Sequence, residues 1–253
     1  MNKEDNALRC VRVAIVGKIN ENNDSYPFVK ESLFHAANKL NAEINIDWID
    51  SFDVNDNNVK DIINNADGII LPGGYGNRGI EGMISTAKFA RENNVPLLGI
   101  CLGMQIITIE FARNVLGYKF ANSTEFDLNT EYPVIDLIHE IRDSEDKNKQ
   151  GRSGDFTCLL EKDSLAYSIY QKEIIQERQS HRYEFNIKYK NEFIVHGMEL
   201  TGRCEDTNSI EIVEIPCNKF YLGVQFHTEY KSNVDNPRPL FLGLIKELLK
   251  TKN

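Results

Sequence analysis

The sequence contains no apolar run that approaches the roughly 20 residues of a membrane-spanning helix, so no transmembrane helix is predicted. Its first six residues, MNKEDN, are polar and acidic, which excludes a typical secretory signal peptide at this position. Five cysteines are present but no CxxC pair, which argues against a structural zinc site, and a disulfide framework is not expected in a chain of this size. The cysteines are therefore expected to be reduced thiols, as in a cytoplasmic protein. No membrane contact is expected.

Basic residues are outnumbered: 29 Lys and Arg stand against 38 Asp and Glu, and the net charge is −9. Nucleic-acid binding requires a basic face, so nucleic acid is excluded as the main partner. Hydrophobic residues make up 41% of the chain, enough for a sizeable core. Since no internal repeat or linker is recognisable, we expect residues 1–253 to form a single domain that includes a short N-terminal extension, 1–12.

Apolar runs alternate with helical patterns in the first half of the chain. Strands are predicted over 11–17, 44–49, 67–71 and 95–100, and helices over 26–40, 59–64, 80–93 and 102–116. This alternation predicts an α/β fold, a three-layer sandwich in which helices flank a mostly parallel central sheet.

The second half is richer in β-strand patterns. Strands are predicted over 193–200, 210–215 and 220–226, and a last helix over 240–249. The stretch 141–155, IRDSEDKNKQGRSGD, has almost no apolar residues and is typical of a mobile surface loop.

A cysteine flanked by glycines lies between a predicted strand and a predicted helix. The segment Gly99-Ile-Cys101-Leu-Gly103 has the G-x-C-x-G pattern of a strand–turn–helix nucleophile elbow. The turn would present the sulfur at the carboxyl end of the sheet, where the start of the helix favours a thiolate. An inert core thiol is the alternative for Cys101, and the flanking glycines favour the nucleophile.

The segment QFHTE, residues 225–229, follows an apolar strand. Side chains at i and i+2 of an extended chain point to the same side, so His227 and Glu229 can meet, with the carboxylate orienting the imidazole. The alternative is an ordinary surface His-x-Glu pair. The remaining histidines lack a carboxylate two residues later and are weaker candidates: His35, His139, His181 and His196.

Paired glycines follow another strand in the segment LPGGYG, residues 71–76. The backbone N–H of Gly74, together with that of Leu102, would suit a developing oxyanion. A simple strand-to-helix turn is the alternative. The spacings of known phosphate-binding loops are absent.

Three motifs in this order, LPGGYG, GICLGMQ and VQFHTE, resemble those of the class I (triad) glutamine amidotransferases. The similarity extends to the glutaminase domain of CTP synthases in segments spread over nearly the whole chain, among them LPGGYGNRGIEGM (71–83), NSTEFD (122–127) and HRYEFN (181–186). The resemblance implies hydrolysis of glutamine to glutamate and ammonia through a γ-glutamyl thioester, by a Cys101–His227–Glu229 triad. It implies neither a cofactor nor a metal.

The resemblance also implies roles for residues around the triad. Gly74 and Leu102 would form the oxyanion hole, and the glutamine head group would be held by Gln105, Glu125 and Arg182. Tyr75 takes the place of an aromatic residue beside the substrate. A lid that responds to a GTP effector in CTP synthases is matched by Arg78, Gly79 and Glu81.

Some of the family pattern differs here. Thr228 replaces a usual proline, Ser180 a usual basic residue, and only residues 1–12 precede the first strand where CTP synthases carry an ATP-binding synthetase half. We therefore expect ammonia to pass to a separate synthetase chain in pyrimidine nucleotide biosynthesis. Two alternatives stay open: a stand-alone γ-glutamyl hydrolase, and a catalytically silent module that senses glutamine or a nucleotide.

Overall fold

The computed structural model describes residues 9–19, 26–144 and 151–250. Strands in chain order are β1 (Arg9–Gly17), β2 (Ala42–Asp50), β3 (Gly68–Leu71), β4 (Leu97–Ile100), β5 (Ala121–Ser123), β6 (Tyr132–Leu137), β7 (Arg152–Leu160), β8 (Ile174–His181), β9 (Tyr183–Phe185), β10 (Glu199–Cys204), β11 (Ile210–Glu214) and β12 (Tyr221–Val224). Helices are α1 (Pro27–Lys39), α2 (Val59–Ile63), α3 (Ile80–Glu92), α4 (Leu102–Asn114), α5 (His139–Arg142), α6 (Leu165–Tyr170), α7 (Lys190–Val195) and α8 (Pro239–Lys250).

Nine strands form one sheet in the order β2-β1-β3-β4-β12-β11-β10-β7-β8. Pairings from β2 to β12 are parallel, and those from β12 to β8 are antiparallel. The α/β prediction is therefore confirmed, and the sheet is mixed because the second half of the chain adds antiparallel strands to a parallel half.

The central strands are buried on both faces, as expected of parallel strands covered by helices. Side chains alternate between two apolar clusters along each strand: Ile69 and Leu71 face one cluster, and Ile70 faces the other. One cluster includes residues of α2, α3, α4 and α7, and the other includes residues of α1, α6 and α8. A second sheet has three strands in the order β5-β6-β9, and its buried residues belong to the apolar cluster that includes α4.

The predicted strand over 193–200 is wrong in its first half. Phe193 belongs to α7 and is fully buried, whereas Val195 in the same helix is 80% exposed. Gly197, with a φ of 98°, separates this helix from β10, which begins at Glu199. The apolar Phe-Ile-Val run has the composition of a strand, although only one of its side chains enters the core.

The predicted loop over 141–155 is also wrong at both ends. Ile141 and Arg142 lie in α5, and Arg152 begins β7, which pairs with β8 from Arg152 to Leu159. Residues 145–150 lie outside the described part of the chain. The polar segment forms a strand because the neighbouring strand supplies its hydrogen-bond partners.

The helices of the described ranges were also compared with the length and hydropathy that a membrane span requires, and none of them meets both requirements.

Candidate active site

Cys101 lies in the sharp turn between β4 and α4. Its backbone has a φ of 52° and a ψ of −101°, a region that costs a non-glycine residue on the order of 1–3 kcal/mol. The Cys101 amide donates to the Val224 carbonyl of β12 at 2.7 Å, which fixes the turn. The flanking glycines allow close packing, since a Cβ on Gly103 would come within 2.0 Å of the Leu71 carbonyl oxygen.

Three strand ends converge at this turn. Because β4 lies between β3 and β12, the residues after these strands meet at one edge of the sheet. A Cβ on Gly73 would lie 2.8 Å from His227 Cε1 and 3.6 Å from Cys101 Cβ. The structure thus brings the proposed nucleophile and the proposed base to the same glycine, although they are far apart in sequence.

The predicted contact between His227 and Glu229 is present: Nδ1 and Oε1 are 2.7 Å apart, and both side chains are buried. The predicted geometry is wrong, however. β12 ends at Val224, and Glu229 lies in a 3-10 helix, Thr228–Lys231, that His227 precedes. A tight turn, not an extended strand, brings the carboxylate back to the imidazole.

The electrostatics of His227 are set by its two neighbours. Burial alone would lower the pKa of this imidazole, but hydrogen bonds and charge interactions with Cys101 and Glu229 outweigh burial and raise its pKa to about 11. The imidazole therefore keeps its proton at neutral pH. A cysteine beside an imidazolium is in the setting that favours a nucleophilic thiolate.

The imidazole packs on an aromatic residue that the sequence analysis did not single out, and a second aromatic residue supports the first. The ring of Tyr230 stacks on that of His227 with centroids 4.7 Å apart and planes 6° apart. Phe28 of α1 meets Tyr230 edge-on at 5.3 Å. The position of Tyr230, three residues after His227, could have indicated this contact if a turn had been expected there.

The two predicted oxyanion donors lie beside the cysteine. Leu102 is the first residue of α4, and Gly74 follows β3 at the same edge. A Cβ on Gly74 would lie 3.1 Å from Leu102 Cδ2, so the two residues are in contact. Gly74 and Cys101 also line the same cavity.

A cavity of about 760 Å³ opens over Cys101, His227 and Glu229. Its lining includes Gly73, Gly74, Tyr75, Cys101, His227, Glu229 and Tyr230. Tyr75 is 86% exposed and thus free to meet a ligand. The ammonium group of Lys18 contacts the carbonyl oxygens of Tyr75 and Gly76 and so supports the loop that carries them.

The three predicted head-group residues gather around Tyr183 and are not among the residues that line this cavity in the described chain. Gln105 donates to the Tyr183 carbonyl oxygen at 2.9 Å. Burial raises the pKa of Tyr183, the charge of Glu125 raises it further, and that of Arg182 opposes the rise. Glu125 also accepts a hydrogen bond from the Gly76 amide at 2.6 Å, which joins this cluster to the Tyr75 loop.

The predicted lid residues are each anchored. Arg78 forms a two-contact ion pair with Asp50, and Glu81 pairs with Arg113 at 2.8 Å. Gly79 has a φ of 71° and caps α3. A Cβ at Gly79 would come within 2.3 Å of Ser51 Oγ, so this end of the loop is tightly packed.

The chain matches the family "Glutamine amidotransferase class-I" over residues 22–247. It is 42% identical to the CTP synthase of Bacillus subtilis over the whole chain, which corresponds to 47% of that protein. It is 45% identical to the CTP synthase of Staphylococcus haemolyticus over 96% of the chain and 45% of that protein. The chain thus spans about half the length of the curated relatives that it matches.

A solved structure gives the same result. The acivicin-bound glutaminase domain of the Trypanosoma brucei CTPS superposes with a TM-score of 0.88 at 33% identity. The match covers 95% of this chain and 94% of that domain. The similarity therefore includes both the fold and the sequence that forms it.

Proposed function

This chain belongs to the class I glutamine amidotransferases, a family of glutamine-hydrolysing enzymes, and from this premise we propose that Cys101, His227 and Glu229 hydrolyse L-glutamine to glutamate and ammonia. The observation that carries the proposal is the convergence of Cys101 and the His227–Glu229 pair on Gly73, in the lining of the cavity. A nucleophile, a base and an orienting carboxylate in contact are the elements of acyl-transfer catalysis.

The chemistry follows from the charges at the site. The Cys101 thiolate attacks the side-chain carbonyl carbon of glutamine, and the backbone N–H groups of Gly74 and Leu102 bind the resulting oxyanion. The His227 imidazolium gives its proton to the leaving nitrogen, which departs as ammonia and leaves a γ-glutamyl thioester. His227 then takes a proton from water, the hydroxide attacks the thioester, and glutamate leaves as the thiolate is restored. Glu229 holds the imidazole throughout.

The residues around Tyr183 would recognise the amino-acid end of the substrate. Glu125 carries the charge needed for the α-ammonium group, and Arg182 that for the α-carboxylate. Gln105 lies between the cysteine turn and Tyr183 and would add a polar contact. Tyr75, exposed at the rim, would cover the bound side chain.

The ammonia would be consumed by a synthetase. The relatives are named CTP synthase, so the proposed acceptor reaction is amination of a pyrimidine nucleotide by an ATP-dependent synthetase in the cytoplasm. GTP is the proposed effector, with Arg78, Gly79 and Glu81 as its lid. The test is to add an ammonia-dependent CTP synthetase to the chain and to measure CTP formed from glutamine, with and without GTP.

The decisive experiment on the triad compares Cys101→Ser with Cys217→Ser, which removes an exposed thiol. Glutamate release should be lost in Cys101→Ser and kept in Cys217→Ser, and acivicin should label only the Cys101 peptide. Labelling of another cysteine would refute the assignment. Release of glutamate from γ-glutamyl peptides but not from glutamine would favour the stand-alone hydrolase, and glutamine binding without hydrolysis would favour the sensing module.

A further inference from the structure

Gln225 lies between β12 and His227, and its side chain contacts the nucleophile. The side chain is fully buried, and its amide nitrogen Nε2 is 3.6 Å from Cys101 Sγ, within the range of a hydrogen bond to sulfur. Its carbonyl oxygen Oε1 lies 3.3 Å from Gln105 Nε2. A buried amide of this kind is costly to keep unless both of its ends have partners.

The orientation of the Gln225 amide follows from a chain of donors and acceptors that begins at the backbone. The Tyr183 carbonyl can only accept, so the Gln105 group that faces it at 2.9 Å must be the amide nitrogen. The same nitrogen has a second proton, which is directed to Gln225. Gln225 must therefore present its oxygen to Gln105, and the NH₂ group remains for the sulfur.

A donor of this kind differs from His227 in one respect. The imidazolium loses its proton to ammonia during the reaction, whereas an amide N–H does not ionise and stays a donor in every step. Hydrogen bonds to a charged acceptor favour the charged form, so an amide N–H directed at sulfur stabilises a thiolate relative to a thiol. It would do so both before attack and when the thiolate is expelled from the thioester.

We propose that Gln225 donates a hydrogen bond to the Cys101 thiolate, and that Gln105 is the positioning residue that fixes the direction of that donor. The inference rests on the proposed function, because it assigns a role at the same nucleophile. It also links the nucleophile to the substrate region, since the chain of hydrogen bonds ends at Tyr183, beside Arg182.

The test measures the reactivity of the thiol without glutamine. Wild type, Gln225→Met and Gln225→Glu are treated with iodoacetamide from about pH 5 to about pH 9, and the alkylation of each cysteine is followed by peptide mass spectrometry. Gln225→Met should slow Cys101 alkylation at neutral pH by about tenfold and move its pH profile upward. Gln225→Glu, which replaces the donor with an acceptor, should slow it more. Alkylation of the exposed Cys217 serves as an internal reference.

Gln105→Met extends the test without altering Gln225. It frees the Gln225 amide to rotate, so it should shift the Cys101 profile in the same direction, and the double variant should add little to Gln225→Met. Thr86→Val is the matched control, because it removes a fully buried hydroxyl that is bonded within α3. It should leave the profile unchanged.

The outcomes separate this inference from the proposed function. If wild type releases glutamate but Gln225→Met and Gln105→Met keep the wild-type profile, the donor role is wrong and the triad stands. A lower melting temperature with an unchanged profile also overturns the donor role, because a purely structural amide would have that effect. If Gln225→Met does not fold, Gln225→Glu and Gln105→Met decide. If wild type neither releases glutamate nor shows enhanced Cys101 alkylation, the proposed function itself fails.

Discussion

Gly73 lies against the imidazole of His227 with no room for a side chain between them: a Cβ on Gly73 would approach His227 Cε1 to 2.8 Å. The same ring is stacked on Tyr230, which Phe28 supports from its edge. The imidazole is thus confined by a backbone and by an aromatic ring. Its hydrogen bond to Glu229 fixes the remaining rotation.

This confinement predicts that Gly73→Ala impairs catalysis more than stability. The added methyl group would displace the imidazole, and a shift of about 1 Å at a reacting group can cost roughly a hundredfold in rate. We expect kcat for glutaminase to fall by about this factor while the melting temperature changes little, because Gly73 lies after the end of β3. Wild-type kcat in a folded Gly73→Ala variant would show that the ring has more freedom than the structure indicates.

Two substitutions at Glu125 can distinguish a role of its charge in substrate binding from a role of its hydrogen bond in supporting the loop at Gly76. Glu125→Gln keeps an oxygen for the Gly76 amide but loses the charge, whereas Glu125→Ala loses both. If the charge binds the α-ammonium group, both variants should raise KM for glutamine by about tenfold or more and leave iodoacetamide alkylation of Cys101 intact. A normal KM in Glu125→Gln, with a raised KM only in Glu125→Ala, would assign Glu125 to loop support alone.

The carboxyl group of Glu211 should make the free energy of unfolding depend on pH. It is fully buried in β11, and burial raises its pKa to about 7 against hydrogen bonds from Gln179 and Ser209 that lower it. Between the unfolded pKa of 4.5 and the folded pKa of about 7 the folded state binds more protons. The free energy of unfolding therefore decreases as the pH rises through this window, by at most about 3 kcal/mol.

Glu211→Gln should remove that decrease. The difference in the free energy of unfolding between Glu211→Gln and wild type should move in favour of the variant by about 1–3 kcal/mol from pH 5 to pH 8, measured by urea denaturation. Glu199→Gln, at an exposed position of β10, is the control and should follow wild type. Parallel pH curves for Glu211→Gln and wild type would contradict the prediction.

Local sequence patterns were sufficient to predict the strand–turn–helix geometry at Cys101. The glycines on either side of Cys101 and the change from strand to helix are all contained in one short segment, and the parallel half of the sheet follows from similar alternation. Strands β5 to β9 were not predicted, since each is defined by pairing with another strand of its sheet. The polar residues of β7 have no apolar pattern that would distinguish them from a loop. The single-domain organisation stays a prediction.

The surroundings of Cys101, His227 and Glu229 could not be predicted from sequence patterns, for the same reason. The pairing of His227 with Glu229 was predicted from i, i+2 spacing, but a turn produces it. Gln225 stands within a recognised motif, yet its role depends on contacts with Gln105 and Cys101 that only the folded chain brings together. Likewise, no pattern links Arg78 to Asp50, the last residue of β2.

The Arg78–Asp50 ion pair bears on how the lid would open. Arg78 also lies over the ring of Phe52 at 5.3 Å, and Gly79 is packed against Ser51, so this end of the loop is fixed to the segment after β2. Gly76 has a φ of 74° and open space where a Cβ would lie, but its amide is bound to Glu125 and its carbonyl oxygen to Lys18, so these contacts would have to break for this end of the loop to move. An anionic effector such as GTP would therefore have to compete with Asp50 for the guanidinium of Arg78.

That competition predicts opposite effects for two substitutions. Asp50→Asn should lower the GTP concentration for half-maximal stimulation of glutaminase activity by about two- to fivefold, because an exposed ion pair contributes little free energy. Arg78→Ala should abolish the stimulation. Lys88→Ala is the control, since Lys88 is a cation of α3, the helix after the loop, and pairs with Asp56 instead. It should respond to GTP like wild type. If GTP leaves the wild-type rate unchanged in the presence of a synthetase, or if Asp50→Asn and wild type respond alike, Arg78 is not the site of competition and the loop is a plain helix cap.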